Sequence, residues 1–128
     1  MNKEFIPYEQ ALALKELGFD EPCFFAFDNC STPMRCSDLR TSEQKFNGIN
    51  YNSSSYTSQP TFSQAFRWFR EKHNLIGLVE GGYDNGKNIF TYVIWKGFKD
   101  IITDDYFNTY EEAELECLKK LIEITKTK

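Results

Sequence analysis

Two rhythms of apolar and polar positions run along this chain and divide it into elements. Phe62, Ala65, Phe66 and Phe69 recur at i, i+3, i+4 and i+7. That spacing lays one apolar stripe along a helix over 62–73, with Ser63, Arg67, Arg70 and Asn74 on the far side and Trp68 and Lys72 on a flank. Thr61, with Gln64 three residues later, supplies a capping-box signature just after Pro60. Thr109 and Glu112 repeat the signature ahead of a helix over 110–124, whose stripe is Ala113, Cys117, Leu121 and Ile124, widened by Leu118 and Ile122. Glu111, Glu112 and Glu114 suit the positive end of its dipole, and Lys119 and Lys120 lie toward the other end. A third helix, over 8–17, is predicted from Pro7, expected at a first helical position, and from Gly18, expected as a left-handed stop.

Elsewhere the period drops to two. "CFFAFD" (23–28) is apolar on both alternating faces, which predicts an inner or doubly covered strand. "LIGLVE" (75–80) and "IFTYVIWK" (89–96) read as two strands of a hairpin, joined by the turn-rich cluster "GGYDNGKN" (81–88). In the second strand Ile89, Thr91, Val93 and Trp95 share one face, and Phe90, Tyr92 and Ile94 the other. "DIIT" (100–103) suggests a short further strand after Gly97. Residues 29–59 form the longest polar segment, rich in Ser, Thr and Asn, and Asn47-Gly48 between Phe46 and Ile49 predicts a short exposed hairpin there. The order helix, strand, polar hairpin, helix, strands, helix predicts an α+β class fold. We expect a single domain over residues 1–128, with an antiparallel sheet of about three to five strands packed by three helices, mainly on one face.

Composition narrows the class. The chain has 128 residues with 12 Phe, 7 Tyr and 2 Trp, enough for a modest core. No apolar run approaches the roughly 20 residues of a membrane-spanning helix, and the first ten residues lack a signal-peptide core, so a cytoplasmic location is expected. The net charge of −4 is unevenly spread. Residues 1–34 carry two lysines against six acids, residues 35–99 nine basic side chains against five acids, and residues 100–128 four lysines against eight acids. The middle is basic between two acidic ends, which leaves room for a local basic face.

The chemistry-bearing residues are few. Cys23, Cys30, Cys36 and Cys117 have no zinc-site spacing, and the single histidine, His73, cannot complete most mixed zinc sites. Cys23 and Cys117 read as small buried hydrophobes. His73 closes a helix, where the dipole stabilises it; a Cys–His nucleophile would need Cys30 or Cys36 to fold onto it. Asp104-Asp105 reads as a solvated loop, and Glu111-Glu112 as a helix start. "EGGYDNGKN" links two strands and does not open into a helix N-terminus as phosphate-cradling loops do. No catalytic constellation, cofactor or metal site is expected. The strand–strand–helix order also occurs in the double-stranded-RNA-binding module, but its phosphate-reaching lysines would here be Glu111, Glu112, Glu114 and Glu116.

Three blocks, "FIPYEQALALKELGFDEPCF" (5–24), "PTFSQAFRWFREKHNL" (60–75) and "FNTYEEAELECLKKLIEI" (107–124), resemble a widespread family of small uncharacterised bacteriophage and prophage proteins. The resemblance implies a phage or prophage setting and a shared scaffold, with segments that vary between the blocks, here 29–59 and 76–106. It carries over no catalytic or ligand-binding residues. A helical frame displaying variable segments is a common way to build a binding surface.

The expected function is therefore a non-enzymatic accessory protein that binds a host or phage protein or associates with itself; the phage setting suggests host takeover or counter-defence. Two alternatives stand beside it: a nucleic-acid or nucleotide-binding module using the basic 35–99 segment, and a minor virion component. The residues singled out for partner contact are Arg67, Trp68 and Arg70 on the middle helix, with Lys87 in the turn cluster and Lys96 at the end of the strong strand; Tyr92 and Trp95 are the candidates for base stacking.

Overall fold

The computed structural model describes residues 4–23, 25–28, 35–36, 56–103 and 105–127. The chain divides into two compact units, residues 1–61 and 62–128. Three helices and two three-stranded antiparallel sheets make up the described residues, which is an α+β architecture. One sheet was expected from the sequence; the strands instead fall into two, one in each unit.

In the first unit, helix α1 (Tyr8–Glu16) starts directly after Pro7, which sits in the cap position with φ −67° and ψ 163° and not inside the first turn as expected. Its fixed φ suits either place. Gly18 stops the helix at φ +97°. The Gly18 and Phe19 amides then donate to the carbonyls of Lys15 and Leu14, which satisfies the helix end as a Schellman motif does. Strands β1 (Phe25–Asp28), β2 (Arg35–Cys36) and β3 (Tyr56–Gln59) form the sheet, with β1 in the middle, as its two apolar faces suggested. Tyr8 meets Phe27 edge to face at 5.3 Å. The outer side of β3 runs into the chain start: the Ile6 amide donates to Pro60, Gln59 Nε2 donates to the Ile6 carbonyl at 3.0 Å, and Phe5 bridges Thr61. Thr57, Ser58 and Gln59 are buried with it. The hairpin expected at Asn47-Gly48 lies outside the described residues.

The second unit is built from consecutive elements. Helix α2 (Phe62–His73) buries Phe62, Ala65, Phe66 and Phe69 as the periodicity required, and Trp68 besides. Asn74 alone, at φ +55°, turns the chain into β4 (Leu75–Asp84). β4 pairs with β5 (Lys87–Lys96) along its whole length, from Leu75↔Lys96 to Asp84↔Lys87. The positive φ angles of the turn are carried by Asn85 and Gly86, at 50° and 82°. Gly81-Gly82, read as turn from the sequence, therefore stays in the strand. Gly97, at φ +65°, turns the chain again into β6 (Lys99–Ile102), and the line of β6 is resumed by Phe107, which exchanges two backbone hydrogen bonds with Phe90. Helix α3 (Tyr110–Lys126) begins at Thr109, whose hydroxyl accepts from the Glu112 amide and donates to the Glu112 carboxylate, each at 3.1 Å.

Both helices pack on one face of this sheet. Paired residues of antiparallel strands point to the same face, so Leu75, Gly77, Tyr92, Ile94 and Ile101 line it together. Gly77 is where α3 comes closest: a Cβ there would lie 2.9 Å from Cys117 Sγ and 3.1 Å from Leu121 Cδ1, with the Phe66 ring 3.6 Å away. Leu75, Ile94, Ala113, Cys117, Leu118 and Leu121 are fully buried in the resulting core. Phe90 meets Tyr110 edge to face at 6.1 Å, which places the start of α3 near the far end of the hairpin.

Candidate binding surface

The residues expected to make a basic contact surface do not gather at one place. Arg67 and Arg70 are exposed on α2, one turn apart, as the helix pattern required. Trp68 is not beside them at the surface. It is only 3% exposed, set edge-on against Phe69 at 5.1 Å and His73 at 4.8 Å, so its ring is core and its contact role is withdrawn. The apolar stripe of α2 is simply wider than the i, i+3, i+4 positions, and Trp68 falls inside it. Lys87 and Lys96 are both exposed but stand at the two ends of β5, about 30 Å apart. Their odd spacing also sends them to opposite faces. Lys96 pairs instead with Lys99, level with Leu75 and so next to the end of α2. Of the stacking candidates, Tyr92 is buried and stacks on Phe107 at 6.4 Å.

A different surface emerges on the sheet. On the face away from α2 and α3, Ile76 pairs with Trp95, and Leu78 with Val93, which is itself buried in the middle strand. Ile76, Leu78 and Trp95 remain 42%, 46% and 38% exposed. Phe98, at the tip of the β5–β6 turn, is completely exposed. Ile76 and Leu78 both belong to β4, and β4 is an edge strand: among the described residues only β5 pairs with it. Alternate residues of its ten, Leu75, Gly77, Val79, Gly81 and Tyr83, thus turn backbone groups outward with no partner strand among the described residues, beside a partly open apolar face. β6, at the other edge, is four residues long and begins with Lys99-Asp100, a short charged edge of the kind that discourages pairing.

The sequence held a signal for this surface in the apolar alternation of Ile76, Leu78, Val93 and Trp95. Two apolar faces in a strand read equally as a doubly covered strand, so the pattern alone does not say that one is open.

The thiols in the described core are inert. Cys23 and Cys117 are buried, and desolvation pushes both up to about 12, with Glu114 adding repulsion at Cys117. The Cys23 thiol also donates to the Glu21 carbonyl at 3.6 Å. Neither supplies a thiolate near neutral pH. Cys30 and Asp104 lie outside the described residues. Among the described residues no group of three or more His, Cys, Asp and Glu side chains is placed to hold a metal, and no helix is long and apolar enough to cross a membrane.

Comparison with known proteins finds no matching family model, no similar curated protein and no similar solved structure.

Proposed function

We propose that the protein is a non-enzymatic binding module, acting on a protein partner or on itself through the second sheet. The observation that carries this reading is the open face and unpaired edge of β4, where Ile76 and Leu78 stay half exposed beside Trp95. Apolar side chains grouped at a sheet edge mark interaction surfaces more often than isolated exposed ones do. The phage or prophage setting, and with it a role in host takeover or counter-defence, rests on the sequence resemblance of the three blocks. A nucleic-acid role has less support, because Lys87 and Lys96 stand at opposite ends of a strand and Trp68 and Tyr92 are core.

The test is tagged affinity capture from bacteria carrying the phage or prophage, with wild type beside Leu78→Lys and the pair Arg67→Ala/Arg70→Ala. The expected result is a stoichiometric partner, or a second copy of the chain, held by wild type and by the arginine variant and lost by Leu78→Lys. Recovery of neither, or retention of the partner by a folded Leu78→Lys, counts decisively against the reading.

A further inference from the structure

The open edge of β4 has a natural occupant in chemical terms, since a row of outward amide and carbonyl groups that otherwise meets only water is a template for another strand. Charge decides which strand. The hairpin tip is acidic in balance: β4 carries Glu80 and Asp84 there, and the first turn of α3, Glu111 and Glu112, lies toward the same end, against the single Lys87 that pairs with Asp84. The other end of the sheet is basic in balance: Lys96 and Lys99 pair level with Leu75, and Arg70 and Lys72 are in the last turn of α2, against Asp100 and Glu71. The second unit is thus polarised along its strands. A parallel neighbour of the same kind would set like ends together. An antiparallel one sets acidic ends beside basic ends.

We infer that β4 pairs antiparallel with β4 of a second copy of this chain, joining two three-stranded sheets into one of six strands. This rests on the reading of the sheet as a binding surface and names its occupant. A two-fold axis through the sheet pairs the same stretch of both free edges at once, Leu75–Val79 in the register assigned below, and makes the contact self-complementary. It also fixes the parity of the register: residues paired across the axis must share a face, so the axis passes a residue and not the gap between two. Centring on Leu78 would set Glu80 against Ile76. Centring on Gly77 sets Ile76 of one copy against Leu78 of the other, twice, and leaves Glu80 opposite Asn74. The Gly77 register is the one we assign. The two open faces then become one continuous apolar surface, and each Asp84 reaches toward the basic end of the other copy.

Sedimentation equilibrium on the full chain tests this, with wild type, Leu78→Lys and Ile76→Lys compared and folding checked by circular dichroism. The expected result is a concentration-dependent mass of twice the 15.0 kDa chain, weakening as salt rises, and a monomer in both variants. Leu78 and Ile76 are half exposed, so the substitutions leave the fold intact, and the second variant covers failure of the first. Hydrogen exchange gives an independent check: the outward amides of Leu75, Gly77 and Val79 should gain protection in the dimer, while those of Ile76, Leu78 and Glu80, already bonded to β5, should change little. A wild type that stays monomeric up to about 1 mM, or a dimer that survives both substitutions, overturns the inference. If wild type is monomeric yet Leu78→Lys loses a captured protein, the occupant is a strand of another protein and the binding reading stands. If neither self-association nor capture is seen, both fall.

Discussion

Leu75 and Ile76 are neighbours in one strand with opposite fates. Leu75 is wholly buried among Ile94 and the helices, while Ile76 is 42% exposed beside Trp95. The same alternation continues through Gly77 and Leu78. One face of the sheet is packed so closely that it requires a glycine, and the other keeps Ile76 and Leu78 half exposed at its β4 margin although Val93 in the middle strand is buried. Hydrophobicity alone does not separate the two faces. Steric demand does: at Gly77 the covered face leaves no room for a methyl group, whereas Ile76 and Leu78 at the β4 margin are half exposed and not so confined.

The sharpest way to break this contrast is to shorten one residue on each face. Ile94→Ala should cost about 2–5 kcal/mol, because it leaves a cavity in a close-packed layer. Leu78→Ala should change stability far less. Urea unfolding of the two variants compares them directly, and equal losses would mean that the open face is covered after all. Gly77→Ala comes next, at about 1–3 kcal/mol, since the new methyl group must displace Cys117 or Leu121 from a filled core. Unfolding of the double variant Gly77→Ala/Cys117→Ala locates the clash: the paired substitutions should recover part of the loss.

The smallest effect is alkaline. Burial raises Cys117 to about 12 from an ordinary value near 9.0. The folded chain therefore keeps the proton that the unfolded chain gives up, and this thiol's contribution, complete below pH 9, declines as pH rises toward 12. By pH 10 the loss is on the order of 1 kcal/mol. Unfolding midpoints of wild type and Cys117→Ala between pH 8 and 10 should show the shallower fall in the variant.

Much of the frame was legible because it is written locally. The Thr109–Glu112 cap, the α2 stripe from Phe62 to Phe69, the Gly18 stop and the inner position of β1 all follow from residues within one or two turns of each other. The remainder depended on partners distant in sequence. Gly81-Gly82 looked like a turn, yet Asn85-Gly86 adopts the left-handed angles and the two glycines remain paired with Ile89 and Phe90. Trp68 looked like a flank because a helix pattern counts positions and not the breadth of what packs against them. The division of strands into two sheets is set by pairing across long separations, which periodicity does not encode. The edge position of β4, which makes the candidate surface, is a fact of that same kind.

The near-continuous order of the second unit bears on how the chain reaches its fold. From Phe62 to Ile102 each element packs against or pairs with the next, α2 on β4, β4 with β5 and β5 with β6, while α3 reaches back to β4 and β5; the Asn85-Gly86 turn needs only a microsecond-scale hairpin closure. β1 and β3 must instead bring Asp28 to Tyr56 across the whole polar segment before any pairing repays the lost chain entropy. Short contact separation favours early assembly. The hairpin with the unsatisfied edge therefore forms first during folding and meets its neighbours, and any second copy, before the rest of the molecule has closed.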